Sequence, residues 1–309
     1  MSLINALPGA AAQGLIWGIM AIGVYLTFRI LDIADLTVDG TMCTGGAVCV
    51  MMLMSGHNIW VSMLAATGAG MLAGLATGIF HTFMGIPAIL AGILTQLGLY
   101  SANLKIMGKA NQAVNGNKYD LLVSLRNVKN VPIYQNTILI VAVFIVVLIA
   151  ILYWFFGTEL GCSLRATGCN PNMSRAQGIN TNVCKVLGLM LSNGLVALSS
   201  ALLAQYQGFA DVNMGRGAIV IGLAAIVIGE VLGRLLPGGL TQFSVRLASA
   251  VFGSVVYFLI RAIVLQLGMD ANDMKLLSAV IVAVALCVPV VWERYKLRSS
   301  YTKGDEADA

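Results

Sequence analysis

"TILIVAVFIVVLIAILYWFF", residues 137–156, runs for twenty positions without a charge, a proline or a glycine. An α-helix rises about 1.5 Å per residue, so a run of about this length crosses a hydrocarbon core about 30 Å thick. A membrane-spanning β-barrel is built from weaker segments of about ten residues that alternate apolar with polar positions. The unbroken run excludes that architecture, and similar windows recur along the chain. Of its 309 residues 59% are hydrophobic and 10% charged, against roughly a quarter charged in a soluble domain. Too few polar side chains remain to cover a water-facing surface. The expectation is an all-α polytopic membrane protein.

Reading apolar windows and their breakers gives nine spans, at 12–28, 39–54, 58–82, 86–104, 136–156, 183–206, 215–235, 243–267 and 274–293, in one transmembrane domain covering 1–309. The second is short and glycine-containing, as half of a broken helix would be. The opening "MSLINALPGAAAQG" has no Lys or Arg, so the basic region of a cleavable signal peptide is missing and the first span itself is expected to direct insertion. The six cysteines are scattered with no CxxC pair and read as small buried hydrophobes. The net charge of +5 is dispersed over loop ends and forms no nucleic-acid footprint.

Basic residues set the orientation. Placing the tail at 294–309 in the cytoplasm, with Arg294, Lys296, Arg298 and Lys303, puts the 157–182 segment there too, with Arg165, Arg175 and Lys185. The N-terminus and the long polar loop at 105–135 then lie outside. Arg29, Arg234 and Arg246 also fall inside, giving ten of the 18 basic residues, a weak bias. The outer loop reads either as a docking surface or as a solvated connection.

Charges inside a membrane are the first place to look for function. "LDIADLTVDG" clusters Asp32, Asp35 and Asp39 after the first span. Asp35 and Asp39 would share a face if that stretch were helical. Asp39, before Gly40 and Thr41, can N-cap the following helix; the pair can line a translocation path, or couple to an ion. "ADLTVDG" at 34–40 is echoed by "ADVNMGRG" at 210–217, and the spans they follow run in opposite directions, as an inverted repeat requires. Glu230 and Arg234, four apart, are expected to neutralise one another, and Arg261 to snorkel outward. His57 and His81 stand at opposite ends of one span and cannot share a metal. Neither a nucleophile elbow nor a phosphate-binding loop occurs.

One segment is unfit for lipid: "LRATGCNPNMSRAQGIN", residues 164–180. Asn170 is a good N-cap, Pro171 suits the first helical position, and Gly178 can take the left-handed conformation that ends a helix. A rod of about two turns is too short to stand alone. Met173, Ala176 and Ile179 lack the bulky face of a membrane anchor, whereas Arg165 and Arg175 offer forked donors to carboxylates on a protein partner.

This stretch resembles the cytoplasmic coupling segment of permease subunits in bacterial ATP-binding-cassette importers, specifically the branched-chain amino acid and ribose permease family. "GIMAIGVYLTFRILDIADLTVDGTMCTGGAV" is similar to that family's early span, polar break and glycine-rich helix, and "GIPAILAGILTQLGLY" to its next helix. The resemblance implies an importer permease in the bacterial plasma membrane, in contact with lipid and paired with a second permease copy. It also implies two ATPase subunits on the inner face, which bind the ATP and Mg, and an external solute-binding protein, leaving this chain without a cofactor. Carried over by position, Arg165, Asn170, Pro171, Arg175 and Gly178 would meet the ATPase; Asp35, Thr37, Asp39, Gly40, Asp211 and Asn213 would border the path. Two departures stand out: ribose-type members carry a further N-terminal span, and the family's break usually has fewer carboxylates than "LDIADLTVDG". The nearer likeness is to permeases paired with binding proteins for amino acids, aromatic ones included. An ion-coupled transporter using Asp35, Asp39 or Asp211 remains the rival, and a sugar or nucleoside the alternative solute.

Overall fold

The computed structural model describes residues 3–114, 119, 121–128, 136–234 and 242–267, with 276, 279–284 and 287 beyond them. Helix α1 (Leu3–Tyr25) continues into a π turn at Leu26–Ile30. It is followed by α2 (Thr37–Met54), α3 (Ile59–Thr82), α4 (Ala88–Met107) and α5 (Thr137–Gly157). Two short helices, α6 (Glu159–Cys169) and α7 (Pro171–Ala176), precede α8 (Thr181–Gln207), α9 (Ala218–Arg234) and α10 (Phe243–Gln266). Seven of these helices have the length and apolarity to cross a membrane, and α9 is a shorter apolar helix. The expected span at 274–293 lies largely outside the described residues, as do the tail at 294–309 and much of the loop at 105–135. The second span is an unbroken helix; the break falls before it.

Several helix starts are written by asparagine. Asn58, Asn136, Asn170 and Asn180 each accept from backbone amides of the first turn that follows, amides with no partner inside the helix.

The centre is the antiparallel pair α1 and α8. Tyr206 Oη donates to the Gly9 carbonyl (3.0 Å), Ser199 Oγ to that of Ile16 (2.7 Å) and Ser192 Oγ to that of Gly23 (2.7 Å). Each rung lies seven residues from the next on both helices, two turns apart, so one face of each helix carries all three. In lipid, where apolar surface gives helices little reason to associate, such bonds and close backbone approach hold a bundle together. Close approach recurs along the crossing of α3 and α8. Gly70, Gly74 and Gly78 form a stripe on α3, and a methyl group at Gly74 would overlap the Leu189 carbonyl. α3 packs on α8 while α10 packs on α1, an exchange of partners that suits two units running in opposite directions.

A two-stranded sheet joins β1 (Asn111–Ala113), after α4, to β2 (Phe209–Asp211), after α8, with Asn111 opposite Asp211. The ends of α4 and α8 therefore lie on one face of the molecule. At the opposite face Gly168 of α6 packs on the Ile30 carbonyl, which groups the end of α1 with α6 and α7. This separation agrees with the span count.

Candidate functional site

The polar break occupies residues 31–36. α1 loosens into its π turn, Asp32 takes a left-handed backbone (φ 55°), and the chain reverses into α2. Asp32 and Ala34 stay exposed, whereas Leu31, Ile33 and Asp35 are buried in the bundle. Asp35 is 2% exposed and reaches Asn193, midway along α8. One Asp35 oxygen accepts from the Thr37 amide (2.9 Å) and the other from Asn193 Nδ2 (2.7 Å). Asn193 Oδ1 in turn accepts from Thr41 Oγ1 (2.7 Å). The Thr37 hydroxyl lies 2.6 Å from that of Thr77, which donates to Thr95 (2.9 Å). A satisfied chain of polar groups thus ties the break to α2, α3, α4 and α8, which is how buried polar groups become tolerable.

Asp35 and Asp39 do not share a face, and Asp39 does not cap its own helix. It lies in the first turn of α2, and its two oxygens accept from the amides of Gly217 (2.9 Å) and Ile219 (3.0 Å) at the start of α9. Asp35, through the Thr37 amide, does the capping at α2. A carboxylate at a helix N-terminus satisfies free amides and meets the positive end of the helix dipole. The two echoed segments are therefore packed together: Cys43 Sγ donates to the Val212 carbonyl (2.9 Å), and Gly215 lies on the Asp39 carbonyl. The 212–217 segment descends from β2 into the bundle, and α9 starts at that depth.

Residues 212–217 separate two cavities. One, of about 260 Å³, is lined by Asp39, Gly40, Gln96, Tyr100, Asn103 and Arg216 among others. Asn103 is fully buried and its side-chain oxygen has no partner among the described residues. The second, of about 350 Å³, has Asp211, Asn213 and again Arg216 in its wall. Of the six expected path residues, Asp39, Gly40, Asp211 and Asn213 line cavities, whereas Asp35 and Thr37 are sealed in the network behind them. Sequence reading missed Arg216, although it stands inside the quoted echo. The available signal was a lone charge within an otherwise uncharged run from 212 to 229.

At the opposite face α7 has the expected ends. Asn170 Oδ1 accepts from the amides of Asn172 and Met173 (both 3.1 Å), and Pro171 occupies the first position. Gly178 has φ 82°, with its amide on Arg175 and that of Ile179 on Ser174 (both 3.0 Å), the paired closure of a left-handed cap. The segment at 157–182 holds two helices, however, since α6 precedes the rod. Both arginines are occupied within the chain: Arg165 Nη2 donates to the Phe156 carbonyl at the end of α5 (2.7 Å) and Arg175 Nε to Thr181 Oγ1 (2.8 Å). Met173 projects, 63% exposed. Nearby, Glu230 pairs with Arg29 in the π turn that follows α1; the side chain of Arg234, its expected partner, lies outside the described residues. Arg261 faces the second cavity and the Phe258 ring and does not simply snorkel.

Residues 7–286 match the family described as branched-chain amino acid transport system / permease component. The chain is 38% identical over 279 residues to a protein of Clostridioides difficile named tyrosine transport system permease protein, covering 90% of each. It is 30% identical over 258 residues to the fructose import permease protein FruF of Bifidobacterium longum, covering 82% of this chain and 68% of the relative. Among solved structures it shares the fold of PsaBC from Streptococcus pneumoniae, determined in complex with a Fab, with a TM-score of 0.51 and 17% identity over 92% of this chain and 94% of that one. The chain belongs to the branched-chain amino acid transport system permease family, and is a multi-pass inner-membrane transport component, not an enzyme.

Proposed function

We propose that the chain is the membrane-spanning subunit of an ATP-driven importer that passes an amino acid, aromatic or branched-chain, from an external binding protein to the cytoplasm, working as a pair of permease copies driven by two ATPase subunits. The observation that carries this reading is α7: a capped rod, braced to α8 through Arg175 and Thr181 and presenting Met173 outward. A rod so fixed transmits displacement instead of bending. Asn170, Pro171 and Gly178 set its shape, Arg165 and Arg175 brace it, and Met173 is the side chain that meets the ATPase. ATP closure shifts the permease only through contacts that differ between its two states. The path runs along Asp39, Gly40, Asp211 and Asn213, with Asp35 and Thr37 holding the wall. Likeness to the tyrosine permease supports an amino acid solute; the fructose permease relative makes a sugar the alternative to test.

The test is reconstitution with the ATPase and binding protein in vesicles. ATP-dependent uptake of labelled L-tyrosine or L-leucine is expected, and none of D-fructose. Met173→Glu is expected to cut uptake and solute-stimulated ATP turnover about tenfold or more, as for loss of one interface anchor, while the chain stays folded. Uptake by this chain alone, driven by a proton or sodium gradient, would overturn the reading in favour of ion coupling.

A further inference from the structure

The cavity of about 350 Å³ on the far side of the 212–217 segment has an imbalance of donors. Its wall carries Arg216 and Arg261, and among the described residues neither guanidinium has a hydrogen-bond acceptor or a carboxylate partner; Arg261 has only the face of Phe258, 5.7 Å from its centre. Trp17, 6% exposed, lines the same cavity, and its indole N–H is buried within the wall with no partner among the described residues. The one carboxylate in that wall, Asp211, is already taken by the Asn213 amide (2.6 Å) and Asn111 Nδ2 (3.2 Å). Two guanidinium groups thus border one cavity, whose other polar groups are Asp211 and the side-chain amides of Gln13, Gln207 and Asn213. Uncompensated cations at membrane depth are costly. An anion entering from outside removes that cost.

The remaining wall decides which anion. Leu203, Phe209 and Ile221 are apolar, and the volume lies within the range of small-molecule sites, larger than a bare inorganic ion needs. The guanidinium fork matches a carboxylate in two parallel bonds. We infer that this cavity is a solute site, in which Arg216 and Arg261 hold the carboxylate of an amino acid whose apolar side chain lies against Leu203, Phe209 and Ile221. This rests on the reading of the chain as an amino acid importer and names the place where the path grips its solute. Arg216 also lines the neighbouring cavity beside Asp39, so a swing of one side chain carries the held carboxylate past the 212–217 segment.

The experiment is saturation-transfer NMR on the purified chain in phosphatidylcholine nanodiscs. The probes are L-tyrosine, L-leucine, tyramine, which lacks the carboxylate, and D-fructose. L-tyrosine and L-leucine are expected to bind, with tyramine and D-fructose about tenfold weaker or absent. Arg216→Gln and Arg261→Gln should each weaken L-tyrosine about tenfold or more, and Arg216→Lys less than Arg216→Gln, because a lysine keeps the charge but loses the fork. Unchanged gel filtration and thermal unfolding show that the variants are folded; neither arginine has a hydrogen-bond partner among the described residues to lose, and Arg261 gives up only its contact with the Phe258 ring. Equal binding of tyramine, or undiminished L-tyrosine binding in the Arg216→Gln/Arg261→Gln double variant, would overturn the assignment. So would loss of wild-type L-tyrosine binding in phosphatidylglycerol nanodiscs, which would give the cavity to a lipid phosphate. If no carboxylate binds while the assembled transporter still imports amino acids, this assignment falls alone. If the wild type binds and imports only the sugar, the solute reading falls with it.

Discussion

Asp39 sits in the first turn of one helix and serves the start of another. Its oxygens hold the amides of Gly217 and Ile219, so a single side chain fixes the depth at which α9 begins and the height of the 212–217 segment that carries Arg216. Removing it leaves two amides at a helix N-terminus without their carboxylate partner. Asp39→Ala is therefore expected to destabilise the chain by about 1–3 kcal/mol, read by urea unfolding in detergent, and to abolish uptake. Asp39→Asn retains one acceptor oxygen and should lose roughly half as much. An Asp39→Ala chain as stable as the wild type would mean that α9 is positioned by its other contacts alone. Asp35 differs in kind: its bonds to Thr37 and Asn193 close a network that has no open face, so it braces the wall and does not touch the solute.

At the scale of elements, the α3–α8 crossing supplies a test with an internal control. Gly74 lies against the Leu189 backbone, whereas Gly68 on the same helix faces open space. Gly74→Leu should force the two helices apart and yield no monodisperse protein, and Gly68→Leu should purify like the wild type, as judged by gel filtration. Equal behaviour of the two would refute close packing as what holds this pair. What the sequence made legible at this scale, and what it hid, follows from range. Apolar windows and the Asn-Pro-Gly punctuation of α7 depend on neighbours a few residues away, so seven of the nine spans, the shorter apolar helix α9 and both ends of the rod could be read directly. The partners of Asp39, Glu230 and Arg165 are set by how helices pack, and Glu230 meets a charge 201 positions away in the π turn that follows α1. Arg216 was hidden for the same reason: its weight comes from the descent of 212–217 into the bundle, which no local pattern encodes.

For the whole molecule, everything turns on which face is which. β1 and β2 fix the loops after α4 and α8 to one end, and α6, α7 and the close of α1 stand at the other. A lever driven by cytoplasmic ATPases must be at the inner end, whereas a cavity that receives solute from outside opens toward the sheet. Both demands are met only by one orientation, with β1 and β2 outside. The bias of basic residues favours it weakly, because the outer loop is itself basic. Single-cysteine labelling decides the matter in a background lacking the six native cysteines. Met173→Cys should react with a membrane-impermeant maleimide only in inside-out vesicles, and Asn111→Cys only in right-side-out ones. Both positions are exposed, so access depends on the side and not on burial. Reversal of the two patterns would place the rod where no ATPase can reach it; the lever would then fail while the fold stood unchanged, because the packing of α1 on α8 is indifferent to which way the bundle is inserted.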